Sequence, residues 1–168
     1  MPRTKKEHII SKDEKQAADL QIKEMQKQID YDTRDFTIEL LITKFEKKDF
    51  FIPPYQRDFV WQPKNKTLFL ESVFLGLPIP FMFFADCDNG KQEVIDGAQR
   101  MQTLVEFYNN QLQLSGLKKL TKLNGFYFKD LSDTQQRKFL NKALRIIILE
   151  EDTPTAARQD LFYRINTT

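Results

Sequence analysis

The sequence contains few of the residues on which most hydrolytic and redox sites depend. Its 168 residues include one cysteine, Cys87, and one histidine, His8. A single cysteine excludes an internal disulfide and is typical of a reducing compartment. His8 lies in a polar, basic segment, residues 1–12, that is predicted to be disordered. The sequence therefore excludes a Ser-His-Asp or Cys-His catalytic constellation and a His-metal nuclease site.

The sequence also lacks a P-loop motif and a segment that could span a membrane. No Gly-x-x-x-x-Gly-Lys loop is present, which excludes a P-loop nucleotidase. Residues 1–30 lack the apolar stretch of a signal peptide, and the richest apolar run, Ile79 to Ala85, is too short to span a bilayer. We therefore expect a cytoplasmic protein that does not enter a membrane.

The remaining composition is that of an ordinary globular protein. Hydrophobic residues make up 40% and charged residues 30%, and fifteen phenylalanines predict a core rich in rings. The net charge of +2 is too small to indicate a nucleic-acid-binding surface by itself. The length fits one folded domain, predicted over residues 36–168, preceded by a polar tail and an appendage helix over residues 1–35.

Hydrophobic periodicity predicts a mixed order of helices and strands, and hence an α+β fold with a small mixed sheet and surrounding helices. The first helix has a narrow apolar stripe and is either a solvated appendage or an interaction helix. Asn124-Gly125 predicts a hairpin. The predicted helices cover about 13–29, 37–47, 65–75, 99–109, 132–143 and 153–165, and the predicted strands cover 49–52, 79–85, 92–95 and 144–149.

The most informative motif is Val94-Ile95-Asp96-Gly97-Ala98-Gln99-Arg100. A strand that ends at an Asp-Gly turn and continues directly into a helix directs free backbone N–H groups and the positive helix end at one point. Arg100 adds a guanidinium that can bind a phosphate through two hydrogen bonds. The alternative is structural: Asp96 caps the helix and Arg100 pairs with a surface carboxylate.

A second Gln-Arg cluster, Tyr55-Gln56-Arg57, follows the proline pair at 53–54. Arginine is rarely buried without an anionic partner, which makes Arg57 a candidate phosphate ligand. The rings around it, Tyr55, Phe59 and Trp61, could stack on a base, although core anchoring is the favoured interpretation for Phe59 and Trp61.

Taken in order, these motifs resemble one bacterial family. The quoted segments are Ile-Pro-x-Tyr-Gln-Arg-x-x-x-Trp over 52–61, Glu-Ser-x-Phe-Leu-Gly-Leu-Pro-Ile-Pro over 71–80, the 94–100 motif, and Arg-Ile-Asn-Thr over 164–167. They resemble the N-terminal, nucleotide-using part of GmrSD-type modification-dependent restriction enzymes, over about residues 36–168. More distantly, the layout is similar to the ParB and sulfiredoxin superfamily.

The resemblance implies a ParB-like domain that binds, and in several members hydrolyses, a nucleoside triphosphate with Mg²⁺ or Mn²⁺. In such systems the nucleotide step controls DNA cleavage in anti-phage defence, through a nuclease domain or partner. Asp96, Arg57 and Arg100 are the expected catalytic residues, and Asp96, with Glu71 as a weaker candidate, is the expected metal ligand. The expected nucleotide-binding residues are Tyr55, Gln56, Arg57, Gly97, Ala98, Gln99, Arg100, Thr103, Arg164 and Asn166.

Two departures from the family pattern leave alternatives open. Ala98 stands where the family usually has glutamine, so either backbone amides suffice there or hydrolysis is weakened. Family members commonly continue past the Arg-Ile-Asn-Thr motif into a nuclease domain, so this chain is either a minimal protein or a fragment. The alternatives to a nucleotide-hydrolysing domain are a non-hydrolysing nucleotide or DNA sensor that acts on a partner, and a ParB-like DNA nickase. The oligomeric state stays open.

Overall fold

The computed structural model describes residues 6–56 and 60–167, with only the backbone of Thr167. The predicted disorder of residues 1–5 therefore lies outside the described residues. These residues form six α-helices and five strands, with short 3₁₀ turns at 54–56, 121–123 and 128–130. In chain order the elements are α1 Lys12–Gln26, β1 Tyr31–Thr37, α2 Ile38–Glu46, β2 Phe50–Phe51, α3 Pro63–Leu75, β3 Met82–Asp86, β4 Gln92–Asp96, α4 Ala98–Tyr108, α5 Asp133–Leu140, β5 Ala143–Leu149 and α6 Thr155–Thr167.

The five strands form one mixed sheet in the order β1-β5-β3-β4-β2. β5 pairs antiparallel with β1 and parallel with β3, while β4 pairs antiparallel with β3 and parallel with β2. The predicted α+β class with a small mixed sheet is confirmed. β2 pairs with β4 only at Gln92 and Glu93, so the carboxyl end of β4 at Asp96 pairs on one side, with Phe83 of β3.

Side chains that alternate along the strands build apolar cores on both faces of the sheet. Phe84 and Val94 belong to the larger core, which α2, α3, α4 and α5 cover. Ala85 and Ile95, one position further along each strand, belong to a smaller core that contains Phe162 of α6. Successive strand residues point to opposite faces, so α6 packs on the face opposite the other helices. Seven of the 23 buried residues of the larger core are phenylalanines, so the core is rich in rings, as the phenylalanine content predicts.

Several helix boundaries follow the predicted capping signals. The Thr37 hydroxyl accepts a hydrogen bond from the Leu40 amide at the start of α2, and the Ser132 hydroxyl accepts one from Gln135 at the start of α5. Gly76 ends α3 with a left-handed φ of +70°. These local signals place the helices that cover the larger core.

The sequence prediction missed strand β1. Its residues pair with β5 over the whole of Tyr31–Thr37, yet Phe36 is the only one of the seven that is buried. A polar edge strand with one exposed face has little apolar periodicity, so no strand was predicted there. The predicted domain boundary at residue 35 falls within this strand.

Two local predictions are wrong. Asn124-Gly125 does not form a hairpin, because the Asn124 side chain bonds the backbone of Leu117 and holds an irregular loop. Thr153 does not cap α6, because its buried hydroxyl has no hydrogen-bond partner among the described residues. That helix begins instead after Pro154, whose carbonyl accepts from the Arg158 amide.

Helix α1 begins with a capping box, in which Ser11 accepts from the Glu14 amide and Glu14 accepts from the Ser11 amide. None of its residues is buried. Its interpretation as a solvated appendage or an interaction helix stays a prediction. Within the described part of the chain, no helix is both long and apolar enough to cross a membrane.

Candidate ligand-binding cleft

A cleft of about 700 Å³ opens where β4 ends and α4 begins. This volume lies within the range of about 300–1,000 Å³ that small-molecule sites occupy. The cleft combines an apolar wall with a few polar groups, as such sites do. Its lining residues are Gln56, Val60, Trp61, Asn65, Leu68, Phe69, Ser72, Pro78, Ile79, Pro80, Asp96, Gly97, Ala98, Gln99, Arg100, Phe162 and Asn166.

Gly97 forms the turn between β4 and α4 and has φ of +109° and ψ of 7°. A side chain at this position would be strained in that conformation. It would also collide with the buried Met82, since a Cβ on Gly97 would lie 2.6 Å from Met82 Cγ and 2.7 Å from its sulfur. Only glycine fits here, which explains why the predicted Asp-Gly turn is built this way.

The start of α4 presents backbone donors to the cleft. The first hydrogen bond within this helix runs from the Met101 amide to the Gly97 carbonyl, at 2.9 Å. The amides of residues 98–100 precede it, so they have no carbonyl acceptor within the helix. All three residues line the cleft. The N-terminus of α4 therefore directs donors and partial positive charge into the space beside Gly97.

Asp96 and Arg100 form an ion pair within the cleft, with 3.0 Å between Asp96 Oδ2 and Arg100 Nη2. The side chains are only 17% and 11% exposed, and Arg100 also donates to the Pro80 carbonyl. Burial raises the pKa of Asp96 and lowers that of Arg100, although each charge partly offsets the shift of the other. The predicted structural alternative differs from this arrangement, because the partner of Arg100 is the largely buried Asp96 and not a surface carboxylate, and no described side chain caps the start of α4.

The two predicted glutamines make internal hydrogen bonds at the edge of the cleft. The buried Gln56 amide donates to the carbonyls of Val94 and Ile95, the latter at 2.8 Å. Gln99 Oε1 accepts from the Trp61 amide at 2.9 Å. Gln56 thus fixes the segment before residue 57 against β4, and Gln99 fixes the segment after it against α4.

Helix α6 supplies the remaining wall through Phe162 and Asn166. The Asn166 side-chain amide donates to the Phe162 carbonyl at 2.7 Å. Arg164 lies on α6 as well, but it is exposed, its Nε bonds Asp160 at 2.7 Å, and it is not among the lining residues. Of the predicted Arg-Ile-Asn-Thr residues, Asn166 therefore reaches the cleft.

Three other predicted residues are not among those that line the cleft. Thr103 is buried and its hydroxyl donates to the Gln99 carbonyl at 2.7 Å. Glu71 is buried and accepts from the amides of Lys119 and Leu120, which lower its pKa. The Tyr55 hydroxyl donates a hydrogen bond to Glu93 Oε1 at 3.1 Å. Thr103 and Glu71 therefore stabilise the fold locally in this conformation.

Arg57, with Asp58 and Phe59, lies outside the described residues, so its predicted role stays a prediction.

Ala98 lines the cleft and packs into the larger core, with 6% of its surface exposed. Among the described residues, no three His, Cys, Asp or Glu side chains form a group that could hold a metal ion. Asp96 is the one carboxylate among the described lining residues.

A buried charge network behind the cleft was not predicted from the sequence. Arg158 of α6 and Glu93 of β4 are 7% and 8% exposed, and Arg158 Nη1 lies 3.0 Å from Glu93 Oε2. Cys87 is half-buried beside them, with its sulfur 3.9 Å from Arg158 Nη1. A glutamate within an otherwise buried strand was the available signal, because a buried carboxylate needs a partner.

The fold and the cleft together define a class of protein: an α+β domain with a ligand-sized cleft at the helix that follows a central strand. Residues 38–168 match the GmrSD restriction endonuclease, N-terminal domain, family. The chain belongs to this family, which indicates a component of a restriction system. Searches of curated proteins and of solved structures each returned no match.

Proposed function

We propose that the cleft binds a nucleoside triphosphate together with Mg²⁺ or Mn²⁺, as the nucleotide step of a bacterial anti-phage restriction system. The observation that carries this proposal is the Gly97 turn, which places the N-terminus of an eleven-residue helix and Arg100 at one end of a 700 Å³ cleft. Backbone N–H groups, a helix dipole and a guanidinium are together suited to phosphate oxygens. The relation to the ParB and sulfiredoxin fold remains part of the same proposal.

The charges of the cleft limit how a triphosphate could be held. Among the described lining residues there is one carboxylate, Asp96, and one guanidinium, Arg100, so their charges cancel. A triphosphate therefore needs further positive charge beyond the helix dipole. A divalent ion fits this need, since Mg²⁺ is commonly held by one or two carboxylates and by substrate phosphates. Asp96 would hold the ion, which would free Arg100 to bind phosphate. Arg57 is proposed from the sequence as the second phosphate-binding cation.

The apolar part of the cleft lining is suited to a base. The lining includes the apolar side chains of Trp61, Leu68, Phe69 and Ile79 and the polar side chains of Asn65 and Asn166. Trp61 is braced against Phe69, with ring centroids 5.6 Å apart and the planes at 62°. An apolar wall with few polar groups is the usual arrangement around a planar ligand.

The experiment that tests this proposal is titration calorimetry of the protein with each of the four nucleoside triphosphates and Mg²⁺. Arg100→Ala should abolish binding, because it removes the described guanidinium from the phosphate end. Arg145→Ala is the matched control, since Arg145 is an exposed arginine paired with Asp35 on the sheet edge. Circular dichroism establishes that each variant is folded. Unchanged affinity in folded Arg100→Ala would refute the assignment.

Ala98 favours a second candidate function, a nucleotide sensor without turnover. Its methyl group packs in the core and has no polar atom to orient an attacking water. Hydrolysis would then depend on Asp96, Arg57 and Arg100 for positioning and charge stabilisation. Phosphate release measured on the nucleotide that binds distinguishes the two functions, because a sensor binds the nucleotide without releasing phosphate.

A further inference from the structure

Behind the cleft, Arg158 uses its whole guanidinium within the protein. Nε donates to the Thr153 carbonyl at 3.0 Å, and Nη2 donates to the carbonyls of Asp86 and Glu151 at 2.9 and 3.0 Å. Nη1 donates to Glu93 at 3.0 Å and to the Cys87 sulfur at 3.9 Å. These five acceptors match the five N–H groups of a guanidinium. Arg158 therefore ties the start of α6 to the ends of β3 and β5.

Glu93 extends this attachment to a third element. One of its oxygens accepts from Arg158, and the other accepts from the Tyr55 hydroxyl at 3.1 Å. The Tyr55 ring also packs edge-on against Phe162, with centroids 5.3 Å apart. One buried carboxylate thus joins the 54–56 turn to α6 through β4.

Each of the three elements that this network joins, the 54–56 turn, β4 and α6, contributes residues to a wall of the cleft. Gln56 follows Tyr55 directly, and Asp96 lies three residues after Glu93 on β4. Phe162 and Asn166 lie four and eight residues after Arg158, on the same side of α6. All four of these residues line the cleft, whereas the three network residues do not.

We propose that Tyr55, Glu93 and Arg158 are positioning residues that hold three walls of the cleft in the arrangement that binds ligand. The ligand-binding part of this proposal rests on the proposed function. The wall-holding part does not, because it concerns contacts within the protein.

Tyr55→Phe is the most informative variant, since it removes one hydroxyl and keeps the ring against Phe162. Tyr108→Phe is the matched control, because Tyr108 undergoes the same chemical change on α4 and does not line the cleft. Three quantities are measured for both: the urea midpoint, amide hydrogen exchange by peptide, and affinity for Mg²⁺ with the nucleotide that binds wild type.

The expected result is local. Tyr55→Phe should raise exchange in peptides that cover 92–100 and 155–166, while peptides of α2 and α5 stay unchanged. Its nucleotide affinity should fall about three- to ten-fold, which corresponds to the loss of one hydrogen bond. Tyr108→Phe should change neither. Glu93→Gln should change both quantities in the same direction and further, because it also disturbs the Arg158 contact.

The other outcomes are equally decisive. Unchanged exchange in both cleft peptides would overturn the proposal, and so would a uniform rise in exchange that follows a lower urea midpoint. If exchange rises locally but wild-type protein binds no nucleotide, the positioning role stands and the proposed function fails. If wild type binds and Tyr55→Phe binds equally well despite the local rise, the network does not position the walls for ligand.

Discussion

Gly97→Ala should destabilise the protein through two separate effects that the structure allows to be measured apart. The first is backbone strain at φ of +109°, which costs about 1–3 kcal/mol for a residue with a side chain. The second is the collision of the new methyl group with Met82, whose Cγ, sulfur and Cβ would lie at 2.6, 2.7 and 3.0 Å. Overpacking of this kind costs about 1–3 kcal/mol. The free energy of unfolding should therefore fall by about 2–6 kcal/mol in total.

Gly125→Ala is the control for the first effect. Gly125 has a similar φ of +91°, and a Cβ there would meet no atom within 4 Å. Urea unfolding followed by circular dichroism gives both losses, and their difference isolates the collision with Met82. In a Met82→Ala background, which removes Cγ and the sulfur, the cost of Gly97→Ala should approach that of Gly125→Ala. Equal costs for the two glycines in the wild-type background would refute the reasoning.

Two further predictions concern buried polar side chains. The amides of Leu120 and Lys119 hold the pKa of Glu71 below its ordinary 4.5, so the stability that this carboxylate adds is present above that pH and is lost on acidification. Wild type should therefore lose more urea stability than Glu71→Gln as the pH falls below about 4.5, and parallel losses would contradict this. Gln56→Glu replaces a donor with an acceptor that faces the carbonyls of Val94 and Ile95, so it should cost about 2–4 kcal/mol in urea unfolding at neutral pH. A change below 0.5 kcal/mol would show that these bonds are replaceable, since that is the usual scale of surface substitutions.

Local chemistry made much of the fold predictable. Thr37, Gly76 and Ser132 are capping signals that act within a few residues, so the sequence around them predicts where α2 and α5 begin and where α3 ends. The apolar residues of β3 and β4, and those of β5 from Ile146 to Leu149, are mostly buried, which gives a strong strand signal. β1 was missed because its stability comes from pairing with β5, a contact 110 residues away in sequence in the case of Asp35 and Arg145.

In the cleft, too, local sequence predicts some features, whereas others arise only from tertiary packing between distant segments. The Gly97 turn was predictable because one glycine determines it, and its neighbours Asp96, Ala98, Gln99 and Arg100 line the cleft. The sequence pattern alone did not show that the Thr103 hydroxyl donates to the Gln99 carbonyl of its own helix and does not line the cleft. No local pattern brings Glu93 and Arg158 together, since 65 residues separate them and only the packing of α6 on the sheet pairs them.

Trp61 is the sequence's single tryptophan, and it lies in the cleft wall against Phe69. All intrinsic tryptophan fluorescence from these 168 residues therefore originates at the cleft. Its emission maximum and its quenching by acrylamide report occupancy of the cleft without any added label. Binding of a ligand there can therefore be measured by optical titration of the unmodified protein, and the ligand needs no label either.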